Sequence, residues 1–197
     1  MGTLLFVLGP AGAGKTTIAA ALAQRRKMAV LDMDTLLRPA AEAIMRAAGL
    51  DPEDRDSEAY KTRCRDLGYR ITMDATLDNL ALGLDACVIG PFTQETSDAD
   101  WLERELAPLG AARGQVQVRV LMVHLSDLDA YRSRIEARAS RLDRWKLEHW
   151  ETFSRSLARR EVRWPLAPGD VLHYDNARPL TADRVAELER FLGGASQ

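Results

Sequence analysis

Short continuous apolar runs alternate along this chain with longer stretches in which apolar positions recur every three or four residues. Residues 3–8, 29–31, 86–89, 115–125 and 171–174 are runs of the first kind, the pattern of strands buried on both faces of a parallel sheet. Between them, helical periodicity covers residues 15–25, 35–48 and 57–82, the middle pair separated by Gly49 and the polar stretch 51–56. A further helix runs through Leu106, with Ser97 or Asp98 as its cap. Ser126, with Asp129 three residues on, has the form of a capping box for a helix carrying Tyr131 and Ile135. A second helix is expected over 146–160, and Thr181 opens a last one with Val185, Leu188 and Leu192 on one face. Strands alternating with helices predict an α/β domain, a parallel sheet covered on both sides.

The first strand runs directly into Gly-Pro-Ala-Gly-Ala-Gly-Lys-Thr, residues 9–16, and then into an alanine-rich helix. Strand, glycine loop and helix in that order make a phosphate-binding loop. Glycine lets successive N–H groups curl around a phosphate, and the helix start adds its dipole at the same point. Gly9, Ala11, Gly12, Ala13, Gly14, Lys15, Thr16 and Thr17 are the expected nucleotide-binding residues, with Lys15 reaching the β and γ phosphates and the Thr16 hydroxyl on Mg²⁺.

Ligands of such sheets gather beyond the carboxyl ends of the strands, so the strand tails belong together. The second tail carries Asp32 and Asp34, whose i, i+2 spacing in an extended segment turns both carboxylates to the same side. Beside a bound triphosphate they suit metal support and general-base work, unless one of them simply caps the helix at Thr35. The third tail bends at Gly90-Pro91 and offers Phe92 as a pocket wall or as a packing residue. Beyond the fourth strand stand Arg134, Arg138, Arg141 and Arg144, with only Glu136 and Asp143 as acids between Tyr131 and Lys146. Excess positive charge there suits an anion, and arginines on a hinged segment can close over a γ-phosphate; a solvated basic surface is the plain alternative. Past the fifth strand, Asp175-Asn176-Ala177-Arg178-Pro179 forms a turn able to cradle a base.

A net charge of -2 with no polybasic block points away from nucleic acid and anionic membranes, so polyphosphate binding must be local. No apolar run is long enough to span a bilayer and no leader precedes the first strand, which makes the cytosol the expected compartment. Cys64 and Cys87 lie far apart outside any metal motif, and His124, His149 and His173 are scattered. The third strand ends without an acid, Asp85 standing at its start, and no Asn-Lys-x-Asp segment exists to read guanine, so ATP is favoured.

The glycine loop, the Asp-x-Asp, the arginines after the fourth strand and the Asp-Asn-x-x-Pro turn together resemble the small-molecule kinases of the P-loop superfamily: gluconate and shikimate kinases, chloramphenicol phosphotransferase and the zeta-toxin-like kinases. That resemblance implies a three-layer α/β/α fold with a five-stranded sheet in the order 2-3-1-4-5, one domain over residues 1–197 with a substrate-binding helical region at about 35–82 and a lid at about 134–146. It implies ATP-dependent transfer to a hydroxyl of a small metabolite or natural product, with Lys15, Asp34, Arg138 and Arg141 as catalytic residues and Asp34 as the base. Arg178 and Pro179 would lie near the adenine, and Mg²⁺ would be held by Thr16 and, through water, by Asp32. Asp34, Arg38, Arg70 and Phe92 are the expected acceptor contacts, with Arg63 a further candidate for an anionic acceptor. A nucleotide-gated interaction or toxin-like module and a nucleoside monophosphate kinase are the competing expectations.

Overall fold

A computed structural model describes residues 2–193. Five parallel strands, β1 (Gly2–Leu8), β2 (Ala29–Asp32), β3 (Ala86–Gly90), β4 (Val116–His124) and β5 (Val171–Asp175), form one sheet in the order β2-β3-β1-β4-β5. β1 is central and wholly buried, pairing Leu4 with Ala86 on one side and with Val118 on the other. Its alternation divides the core. Leu5 and Val7 face α1 (Lys15–Arg26) and α8 (Ala182–Gly193), whereas Leu4, Phe6 and Leu8 face α3 (Glu58–Ala81) and α4 (Trp101–Leu106). Both faces being covered explains why the strands read as unbroken apolar runs.

α2 (Met33–Ala47) packs on α3 through a small cluster of Leu37, Ala41, Met45, Tyr60 and Cys64. Gly68 is what lets the two approach, since a Cβ there would sit 2.8 Å from a Leu37 methyl. Ser57 caps α3 by accepting from the Tyr60 N–H at 3.1 Å. After β4 the chain forms α5 (Leu128–Arg138), a single 3₁₀ turn (Arg141–Asp143), α6 (Arg144–Glu148) and α7 (Trp150–Arg155). It then crosses back to the exit of β3, where the Trp164 indole N–H donates to the Glu95 carbonyl at 2.8 Å and the Arg163 N–H to that of Thr96 at 2.8 Å.

Three local expectations are corrected. Neither Ser97 nor Asp98 caps α4; the Asp98 carboxylate accepts from the Asp100 N–H, and residues 95–97 form a 3₁₀ turn of their own. The cap of α5 is Asp127, which accepts from the Asp129 N–H at 3.0 Å, one residue beyond the expected Ser126. The helix expected over 146–160 is two short ones broken at His149 and ending at Arg155. Trp150 and Phe153 turn into the core while Trp145 stays outside stacked on His149, and the Ser156 hydroxyl bonds back to the Phe153 carbonyl as Leu157 dives inward.

Candidate functional site

The glycine loop leaves β1 at Gly9, whose φ of 142° belongs to glycine and where a Cβ would collide with the Val123 carbonyl. It ends at Gly14, which starts α1 in a left-handed conformation (φ 93°) and supplies no side-chain cap. The first-turn N–H groups of α1 therefore keep the orphan donors and dipole that suit an anion. The loop is braced from behind: Asn176 Nδ2 donates to the Ala13 carbonyl at 2.9 Å, and Arg134 reaches the carbonyls of Asn176 at 2.6 Å and Ala13 at 3.5 Å. A side chain at Gly14 would strike Asn176. Arg134 thus ties α5 and the turn after β5 to the loop.

The Lys15 ammonium donates to the Pro10 carbonyl at 2.9 Å. Burial pushes it down to about 8; the carboxylates of Asp34 and Asp32 pull it back up, and the cations of Arg138 and Lys146 push it further down. Four charged groups, from the end of β2, the start of α2, the end of α5 and α6, therefore act on one ammonium. The Thr16 hydroxyl lies 3.4 Å from Asp32 Oδ2.

Asp32 and Asp34 do not share an extended segment as the spacing predicts. The helix begins at Met33, so Asp32 is its N-cap, accepting from the N–H groups of Asp34 at 3.0 Å and Thr35 at 3.3 Å, while Asp34 stands exposed in the first turn. Tyr60 lies within electrostatic reach of Asp34; its hydroxyl is pushed up by burial, with Arg55 opposing and Asp34 reinforcing the shift. Asp85 accepts from the Thr3 N–H at 2.7 Å, at the end of the sheet away from the loop, and β3 itself (Ala86–Gly90) carries no acid.

The arginines separate. Arg138 donates through Nε at 2.7 Å to Asp143. Arg141 is exposed and pairs with Glu53 at 3.1 Å, which ties it to the loop before α3 rather than to Lys15. Arg144 is exposed. Lys146, which the sequence pattern did not single out, lies between Asp143 (3.2 Å) and Asp56 (3.6 Å) and within electrostatic reach of Lys15. Its only signal was its place as the lone lysine after four arginines.

Expected acceptor contacts fare unequally. Phe92 is wholly buried, edge-on to Phe6 (5.4 Å), Tyr69 (4.9 Å) and Trp101 (5.6 Å); it is a core residue and no pocket wall. Arg70 pairs with Asp74 (2.8 Å) and Glu105 (2.9 Å) and lines a separate cavity of about 190 Å³ between α3 and α4, not the surroundings of Asp34. Arg38 and Arg63 are exposed. The carbonyls of Arg178 and Pro179 accept from Arg184 of α8 at 2.7 and 3.4 Å, which fixes the turn after β5. A narrow cleft beside Gly9 and Pro10 is closed by Pro91, His124, Leu157 and Arg159, the last donating to His173 Nδ1 at 3.1 Å.

No curated protein matches this chain. Among solved structures, a candidate kinase from Chloroflexus aurantiacus superposes with a TM-score of 0.68 at 18% identity, covering 97% of this chain and 98% of that one. A sugar kinase from Janibacter sp. gives 0.58 at 15% identity over 98% and 94%, and a gluconokinase from Sinorhizobium meliloti 0.53 at 15% identity over 98% and 90%. At such identities the likeness is one of fold: this chain has the fold of the P-loop kinases. The AAA domain family matches residues 4–160, most of the chain, including the glycine loop and the strands β2, β3 and β4, and the chain belongs to that family.

Proposed function

We propose that this protein is an ATP-dependent phosphotransferase that moves the γ-phosphate to a hydroxyl of a small molecule. The observation that carries this reading is the convergence of Asp34, Asp32, Arg138 and Lys146 on Lys15 at an uncapped helix start. Acids and cations within electrostatic reach of one ammonium suit a reaction in which a phosphoryl group passes between an alcohol and a leaving diphosphate. The loop amides would hold the β-phosphate, Lys15 would bridge β and γ oxygens, and Arg138 would neutralise charge as it moves. Asp34, exposed in the first turn of α2, would take the hydroxyl proton.

Thr16 and Asp32, 3.4 Å apart, fit a magnesium ion that keeps several waters and shares phosphate oxygens. Such an ion would supply charge neutralisation on the β and γ oxygens. Among the described residues no cluster of three or more His, Cys, Asp or Glu is placed to hold a metal by itself, which leaves the phosphates to complete the shell. We read the chain as one kinase domain, with acceptor contacts in the helical region at about 35–82 and a lid at about 134–146. Kinase neighbours named for sugar and gluconate acceptors support a hydroxylated small molecule as the substrate class.

An ATP-consumption screen over sugars, sugar acids, amino alcohols and nucleotides, with Lys15→Met as the blank, tests the reading. The expected result is slow turnover alone and at least tenfold faster turnover with one acceptor class, lost in the variant, since positioning of the acceptor is most of the catalysis. Equal ATP consumption in the wild type and Lys15→Met would contradict it.

A further inference from the structure

Asp143 is 1% exposed, although it sits in a short lid segment whose other charged side chains mostly reach solvent. A buried carboxylate is costly unless paired. Here its two oxygens are divided between two cations. Oδ2 accepts from Arg138 Nε at 2.7 Å and lies 2.5 Å from its Nη2 as an ion pair, and Oδ1 faces the Lys146 ammonium at 3.2 Å. Arg138 and Lys146 are the two cations that act on Lys15.

Neither cation is fixed by its own helix. Arg138 is the last residue of α5 and is followed by Ala139 in the left-handed region (φ 48°), so the chain turns away just where the guanidinium must be aimed. Lys146 lies in the five-residue α6, where its ammonium also donates to the Leu142 carbonyl at 3.1 Å. Its remaining neighbour, Asp56, is 3.6 Å away, too far for a hydrogen bond, so one donor is left for another oxygen. On Arg138 the contacts to Asp143 use Nε and Nη2 and leave Nη1 uncommitted. Three cations at one place repel each other, and the shared carboxylate offsets that repulsion while setting their directions.

We propose that Asp143 is a positioning residue for the terminal phosphate: it clasps Arg138 and Lys146 into one preassembled unit whose free donors face the γ-phosphate held by Lys15. The inference rests on the nucleotide reading above and adds to it a residue that touches no substrate. Preassembly matters because each cation bound in place spares the ordering of a long side chain on ligand binding.

Calorimetric titration of the intact protein with Mg·ATP and with Mg·ADP tests it, because only ATP presents the γ-phosphate. Asp143→Asn should lower the ATP-over-ADP affinity ratio by about tenfold, the effect of misaligning one charge-assisted contact, with ADP affinity and the thermal midpoint held. Asp143→Glu should recover part of the ratio. In an Arg138→Gln, Lys146→Gln background, adding Asp143→Asn should change the ratio by less than about twofold, since the carboxylate then has nothing to aim. An unchanged ratio in Asp143→Asn, or equal losses for ATP and ADP, would overturn the clasp while leaving nucleotide binding intact. A wild type that binds neither nucleotide would overturn the kinase reading itself.

Discussion

At the scale of single residues, the behaviour of Lys15 follows from its surroundings. Its ammonium is held at about 8 by burial, below its ordinary value of 10.5. A bound triphosphate adds negative charge beside it and favours the charged form, so its value rises on binding. Binding therefore takes up protons near and above pH 8, close to half a proton per site at pH 8, and affinity falls as pH climbs past that value while being insensitive well below it. Calorimetry of Mg·ATP binding at pH 8 in buffers of different ionisation enthalpy reads this directly, and zero proton uptake would contradict it. The residue chemistry of the loop was legible in the sequence because glycine, lysine and threonine at fixed spacing have few other uses between a strand and a helix. Phe92 was not legible: an aromatic after Gly90-Pro91 suits a pocket wall or a core equally, and the choice depends on Phe6, Tyr69 and Trp101, which come from three distant segments.

Among the elements, α2 joins folding to chemistry through Asp32. One oxygen of its carboxylate caps the helix while the other faces Thr16 at the first turn of α1. Asp32→Ala should cost about 1 kcal/mol of stability from the lost cap, read as a lower midpoint in urea. It should also raise the magnesium concentration needed for half-maximal ATP binding, whereas a cap with no further role would leave that requirement unmoved. Strands were easier to place than helix ends. A strand buried on both faces announces itself by composition, but whether Ser126 or Asp127 caps α5 turns on which side-chain oxygen, hydroxyl or carboxylate, reaches an orphan N–H. The break at His149 was hidden because Trp145 and Trp150 look alike in a periodicity and differ only in that one stacks outside on a histidine while the other enters the core.

At the scale of the whole molecule, the carboxyl edge of the parallel sheet collects one group from nearly every strand: the loop from β1, the capping acid from β2, the bend from β3, the arginine-bearing helices after β4 and the bracing turn after β5. Topology brings them together, which is why the glycine loop and the Asp-x-Asp stand out in a linear reading while the contacts of Asp143 with Arg138 and Lys146 do not. Those contacts join side chains that only the folded chain brings together. If loop amides and Lys15 grip a triphosphate while Asp34 serves the acceptor, binding and transfer are separable. Titration of Mg·ATP into the wild type, Lys15→Met and Asp34→Asn tests it most directly. One-to-one binding by the wild type and Asp34→Asn with similar affinity is expected, with a loss of about a hundredfold or more in Lys15→Met at an unchanged thermal midpoint. Lys15→Met binding as tightly as the wild type would contradict it.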